Sequence, residues 1–461
     1  ELYDSKKSKL VWSDRWQEHW DNLPTIKANL TDGLLKTFDK KSQPLKYVET
    51  TNSQAYENYL QGKYCSDFLK SKNDLHNGKV FLKKALELDD NFVEAYYLYG
   101  IVCKRLGNYY EAESALLRGQ EIAETKNNLQ GLAYIYKGFS GLYSDRGKWE
   151  KSKYYIENAL KIQLQLNNPT LEVMLRLDYS NILNNLKEIE SSIEQNKKSI
   201  TMLQNLKNER LLGISYFNLT NTYCIKGDYT QSIQNGEKTL DIYRNLEMTN
   251  YLGRALVMMG EIYCRTGNYA SLKKKINEAE PIVRDFKDTF LLAKINYLKA
   301  HCYLNKKDFT SALSHYDQSI EQFNLAEHTR FETKSLIEKL SLLIESRKLK
   351  DINPITSKIE HLMNKLKGAY SNDIFTAIQY YIDAQNEKLI IDNLNNYYQS
   401  LEDIQDNLSL NVPITYWYCA KAYKNIGHLN TAAKCHEKAK KILGLLAKRI
   451  SGEKDKKTFY K

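Results

Sequence analysis

Histidine and cysteine are the residues of this chain best suited to metal binding or nucleophilic chemistry, and their spacing serves neither. The 8 histidines (His19, His76, His301, His315, His328, His361, His428, His436) include no His-Glu-x-x-His pair, the spacing that sets two ligands and a general base on one helix face. The 7 cysteines (Cys65, Cys103, Cys224, Cys264, Cys302, Cys419, Cys435) include no Cys-x-x-Cys, so neither a zinc ribbon nor a thioredoxin-type pair is expected. Cys435 and His436 are adjacent, but neighbouring helical residues point about 100° apart, which separates a nucleophile from its base. A Gly-x-x-x-x-Gly-Lys phosphate loop and a Gly-x-Ser-x-Gly elbow are both missing from the sequence. Acidic pairs such as Asp89-Asp90 fall where helices begin and read as caps. The expectation is a chain without catalytic residues, metal ligands or a cofactor.

The totals describe the material that remains. Of 461 residues, 42% are apolar and 27% charged, a foldable composition rather than a disordered one. Only 6 prolines and 20 glycines occur, which favours long helices over many tight turns. The 35 tyrosines exceed what any one site could use and must be packing material. No run of about 18 apolar residues suggests a membrane span. Unpaired thiols suit a reducing, cytoplasmic compartment. The chain opens on Glu1 with no signal-type segment, which implies a processed protein or a piece of a longer one. Lysine and arginine outnumber the acids 67 to 56. Part of this excess lies in a basic C-terminal tail, 451–461, which reads as a solvated segment before it reads as a nucleic-acid contact.

The elements that position everything else repeat. The turn glycines Gly107, Gly147, Gly227, Gly267 and Gly427 differ by 40, 80, 40 and 160 residues, all multiples of 40. The residue two places on is apolar at every step: Tyr109, Trp149, Ile189, Tyr229, Tyr269, Phe309, Leu349, Leu389 and Leu429. Seven residues before the turn a small residue recurs (Gly100, Ser140, Ser180, Thr220, Gly260, Ala300, Ala420), with an aromatic three places later in most units. A small side chain there lets a second helix approach closely. The second helix carries its own small residue early: Ala112, Ser152, Ser192, Ser232, Ala312 and Ala432. The pattern departs from the period around Leu183 and more strongly over 330–407, where Pro354 is expected to delay a second helix. Pro281 is expected to kink another.

Small residue, Tyr, Gly, aromatic, small residue in a helix–turn–helix unit resembles the tetratricopeptide repeat. The usual unit has 34 residues, and the longer one here is similar to the repeats of kinesin light chains and of bacterial peptide-sensing regulators. The resemblance implies an all-α solenoid superhelix of about ten helix pairs over 53–450. Residues 1–45 lie outside the period. Their strand-like Leu10–Arg15 and apolar Leu23, Ile26, Leu30, Leu34 and Phe38 resemble the end of a TolB-like, FlgO-type α/β domain. Such domains precede these arrays in bacterial cyclase-like, winged-helix or Ser/Thr-kinase signalling proteins.

The resemblance also implies that first helices line a concave groove, with groove positions at −3, +1, +4 and +5 from the small residue. These place Asn181 and Asn221 at +1, Lys104 and Asn184 at +4, and Arg105, Asn185 and Arg265 at +5. Phe217, Tyr297 and Trp417 stand at −3. Carboxamides donate to and accept from one peptide unit, and neighbouring aromatics pocket its side chains. Lys104, Arg105, Arg254 and Arg265 are expected to meet a carboxylate. The function expected is a non-catalytic scaffold of a bacterial signalling protein, binding a protein or peptide. The alternatives are the regulatory half of a cyclase or kinase whose catalytic domain precedes Glu1, and a nucleic-acid-binding regulator.

Overall fold

The computed structural model describes residues 2–4, 9–12, 50–67, 72–346, 352–366, 373–402 and 411–448. Near the N-terminus, β1 (Leu2–Asp4) pairs antiparallel with β2 (Lys9–Trp12), Tyr3 opposite Leu10. The helix expected over Leu23–Phe38 and the basic tail lie outside the described residues. The remaining described residues form ten successive helix pairs, a tetratricopeptide-type solenoid.

The chain divides into two compact units, Glu1–Met202 and Leu203–Lys461. In the first, α1 (Ser53–Asp67) pairs with α2 (Lys72–Leu88), α3 (Val93–Arg105) with α4 (Tyr109–Thr125), and α5 (Leu129–Asp145) with α6 (Trp149–Leu166). Then come α7 (Pro169–Asn185) and α8 (Ile189–Leu206), the latter crossing the boundary. In the second unit, α9 (Glu209–Lys226) precedes α10 (Tyr229–Asn245), α11 (Thr249–Arg265) precedes α12 (Tyr269–Asp285), and α13 (Thr289–Asn305) precedes α14 (Phe309–Leu325). The array continues through α15 (Thr329–Glu345) with α16 (Ile352–Lys365), α17 (Asp373–Gln385) with α18 (Ile391–Glu402), and α19 (Asn411–Asn425) with α20 (Leu429–Ala447).

The turn signal has a conformational cause. Gly107, Gly147, Gly227, Gly267 and Gly427 all have φ between 68° and 82°, the left-handed conformation in which a side chain is strained. Lys187, Lys307 and Glu387 keep the same conformation without glycine, at φ 64°, 60° and 57°. A second series, which the glycines do not reveal, lies midway: Asn127, Asn167, Lys207, Glu247, Lys287 and Glu327, with φ of 51–57°. Both kinds of turn close alike. Asn108 N–H donates to Cys103 O at 2.9 Å, and Asn128 N–H to Ala123 O at 2.8 Å, the six-to-one bond that ends a helix on a left-handed residue. The next residue often caps the following helix: the carboxamide of Asn128 and the carboxylates of Asp228 and Asp308 accept the N–H three residues on, whereas Asn108 makes no such bond. The 40-residue period is therefore two near-equal helix-and-turn steps of 20.

The small positions are where helices meet. A Cβ on Gly260 would lie 3.2 Å from Leu298 and 3.3 Å from Ile276. Where serine occupies the second-helix position it also ties the pair together. Ser152, Ser192 and Ser232 hydroxyls donate to the carbonyls of Ser140, Ser180 and Thr220 at 2.8, 2.9 and 2.8 Å. Pro281 does not end its helix, since α12 runs through it to Asp285. The second helices begin at 109, 149, 189, 229, 269 and 309, but α16 is described from Ile352, so Pro354 sits in a first turn, where no backbone donor is needed.

Candidate functional site

Several first helices pack directly on the first helix of the next pair within a unit, α3 on α5 and α11 on α13 among them, while second helices barely meet. The first helices thus form the tighter layer, and several of their contacts share one spacing. With a step of 40, residue i stands beside i + 40 in the next first helix. Side chains one turn apart straddle it, at offsets 37 and 41.

At offset 41, Lys104 Nζ lies 3.0 Å from the Asp145 carboxylate and Lys137 Nζ 3.5 Å from that of Asp178. At offset 37, the rings of Tyr97 and Tyr134 lie 5.4 Å apart. The second unit repeats both relations around one residue. Glu338 accepts from the hydroxyl of Tyr297, offset 41, and its Oε2 lies 2.8 Å from His301 Nε2, offset 37. Tyr316 of α14 donates to the same Oε2 at 3.0 Å. Lys334 Nζ stands 4.7 Å above the Tyr297 ring, again at offset 37.

Charge settles on this cluster. Burial pulls the His301 pKa down, but Cys264 and the Glu338 carboxylate outweigh it and raise it to about 10. Burial likewise raises that of Glu338, and His301, Lys334 and the Tyr297 hydroxyl together lower it to about 2. The pair is an imidazolium and a carboxylate at neutral pH. No nucleophile with a free base results, because the imidazole is already protonated.

The expected groove residues fall into distinct groups. Asn181 and Asn185 are exposed, and the Asn185 carboxamide turns back to donate to the Asn181 carbonyl at 2.8 Å. Asn184, expected at the surface, is only 8% exposed; the +4 position turns toward the packed side, as Ser144 shows by bonding Ser152 at 2.7 Å. Phe217 and Asn221 are half-buried and belong to the second unit. Tyr297 is committed to Glu338. Lys104 is committed to Asp145, and exposed Arg105 donates to the Ser66 carbonyl and hydroxyl at 3.0 Å. Arg254 lies 3.6 Å from Asp288, and Arg265 is exposed. Trp417 is 40% exposed, with Lys421 Nζ 5.3 Å above its ring and 2.5 Å from Glu345.

Residue-by-residue reading places Lys137 at −3 in the groove series but passes over Glu338, Asp178 and Lys334. A scan for complementary residues at offsets 37 and 41 would have found all three. Among the described residues, no group of three or more His, Cys, Asp or Glu could hold a metal ion, and no helix is long and apolar enough to cross a membrane. No disulfide joins cysteines among the described residues.

Two segments, residues 81–114 and 293–322, match family models described as tetratricopeptide repeat. No curated protein matches the chain by sequence. Similar solved structures include a Rap protein complexed with competence and sporulation factor, at 13% identity and TM-score 0.54, covering 76% of this chain and 96% of that one. The apo form of RapI aligns at 18% identity and TM-score 0.51, over 60% of this chain and 98% of its own. Aspartyl phosphate phosphatase F from Bacillus subtilis aligns at 14% and 0.50, over 76% and 95%. At these identities the likeness is one of fold.

Proposed function

We propose that this chain is a non-catalytic scaffold that binds a protein or an extended peptide along its first-helix layer. It would serve as the sensor or interaction region of a bacterial signalling or regulatory protein. The cytoplasm is the proposed setting, since cysteines that form no disulfide among the described residues suit a reducing compartment. One observation carries the reading: turns and small positions repeat in phase, while the first-helix positions at −3 and +1 change from pair to pair. The framework is constant, and what it displays is not. That division suits a surface that reads one ligand. Exposed Asn181 and half-buried Asn221 and Phe217 are the proposed contacts, each within its own unit. The Rap protein of similar fold, complexed with competence and sporulation factor, is a precedent for a ligand on such an array.

Selection of a displayed dodecapeptide library on the immobilised full chain, followed by anisotropy titration of the peptides recovered, tests the proposal. Asn181→Ala, Asn221→Ala and Phe217→Ala should each weaken binding, with a hot-spot loss of about 2 kcal/mol expected at Phe217. Affinities unchanged in all three variants would remove the first-helix assignment.

A further inference from the structure

A second helix commonly closes on the first helix of the next pair, as α4 does on α5, α12 on α13 and α14 on α15. By contrast, α16 and α17 scarcely touch, although both lie in the second unit. A cavity of about 420 Å³ opens between them, in the stretch where the sequence leaves its period. That volume is far above the voids an ordinary core leaves and falls within the ~300–1,000 Å³ of small-molecule sites.

The lining joins an apolar wall to hydrogen-bond acceptors. Phe375 is 6% exposed and shares the wall with Met363 and Tyr380. The Tyr380 ring lies 5.3 Å from that of Tyr397, which steadies it. Glu360, exposed on α16, contributes a carboxylate. Gln379 contributes a carboxamide whose Nε2 donates to Asp383 Oδ1 at 3.2 Å, while its buried Oε1 has no donor. A buried acceptor left unpaired is rare and costly. No lysine, arginine or histidine lines the cavity. An anion would therefore meet Glu360 uncompensated. A cation bearing N–H groups would offset that charge and supply the donor Gln379 lacks.

We propose that this cavity binds a small organic cation of the arylalkylamine class, with its ring against Phe375, Met363 and Tyr380 and its ammonium directed to Glu360 and Gln379. Ring faces and a thioether suit the flat body, and the acceptors suit the head. The site is distinct from the first-helix contacts on α7 and α9 proposed above, so either can fail without the other.

The test is a ligand-observed NMR titration of the full chain with two probes of equal tether and opposite charge, phenethylammonium and 3-phenylpropionate. The ammonium should bind at least about tenfold tighter than the carboxylate. Glu360→Gln changes an exposed side chain, so the fold is spared; it should weaken phenethylammonium about fivefold or more and narrow the gap between the probes. Gln379→Leu keeps the bulk, removes the acceptor and should also weaken it by about fivefold. Should that variant fail to fold, Glu360→Gln decides alone. Equal or tighter binding of 3-phenylpropionate, or unchanged binding in Glu360→Gln, would overturn the proposal. So would a loss that Glu360→Gln imposes equally on both probes, or a wild type that binds neither up to about 10 mM.

Discussion

Glu338 shows how one side chain can be decided by its neighbours. It gathers Tyr297, Tyr316, His301 and Lys334 from three helices. Glu338→Gln leaves the imidazolium without its counter-charge, and a loss of about 1–3 kcal/mol is expected in urea denaturation, below the range for fully buried pairs because both side chains keep some solvent contact. The pH dependence follows from the directions of shift. His301 is raised from 6.5 to about 10, so its contribution is complete below pH 6.5 and is lost progressively as pH climbs to about 10. Glu338 is lowered from 4.5 to about 2, so its contribution is complete above pH 4.5 and is lost as pH falls to about 2. The stability difference between wild type and His301→Gln should therefore be largest between pH 4.5 and 6.5 and shrink toward pH 10. A difference that grows from pH 7 to 10 would contradict the ion pair.

At the scale of the helix, the left-handed residue that ends each step is the common device. Five are glycine, but Lys307 and Glu247 hold φ of 60° and 53° with a side chain attached. An L-residue in that region carries a cost of roughly 1 kcal/mol. Lys307→Gly and Glu247→Gly should each raise stability by about 0.5–1 kcal/mol, and Gly227→Ala should lower it by a similar amount. Chemical denaturation at constant m-value checks all three. The serine bridge makes a second claim on the same scale. Ser232→Ala removes the hydroxyl that reaches the Thr220 carbonyl at 2.8 Å and should cost about 1 kcal/mol, whereas Ala312, which already lacks it, marks what the fold tolerates.

For the whole molecule, repetition separates scaffold from surface. The repeating glycines, small residues and aromatics were legible in the sequence because they solve the same local problem in every unit. A turn needs positive φ, and two helices need room to approach. The 20-residue step was not legible, since its second turn uses Asn at 127 and 167 but Lys or Glu at 207, 247, 287 and 327, residues that no composition rule ties to a left-handed backbone. Nor was the partnership of Tyr297 and His301 with Glu338, which depends on how far one first helix is displaced along the next.

Sequence by itself determined the helix pairs and the period of 40, because these are properties of residues close along the chain. Only the tertiary structure decided which groove positions are committed and which face outward. It buried Asn184 and tied Lys104 to Asp145. The physical reason is the lateral offset of 37 or 41 residues, which helix packing fixes and no local pattern encodes.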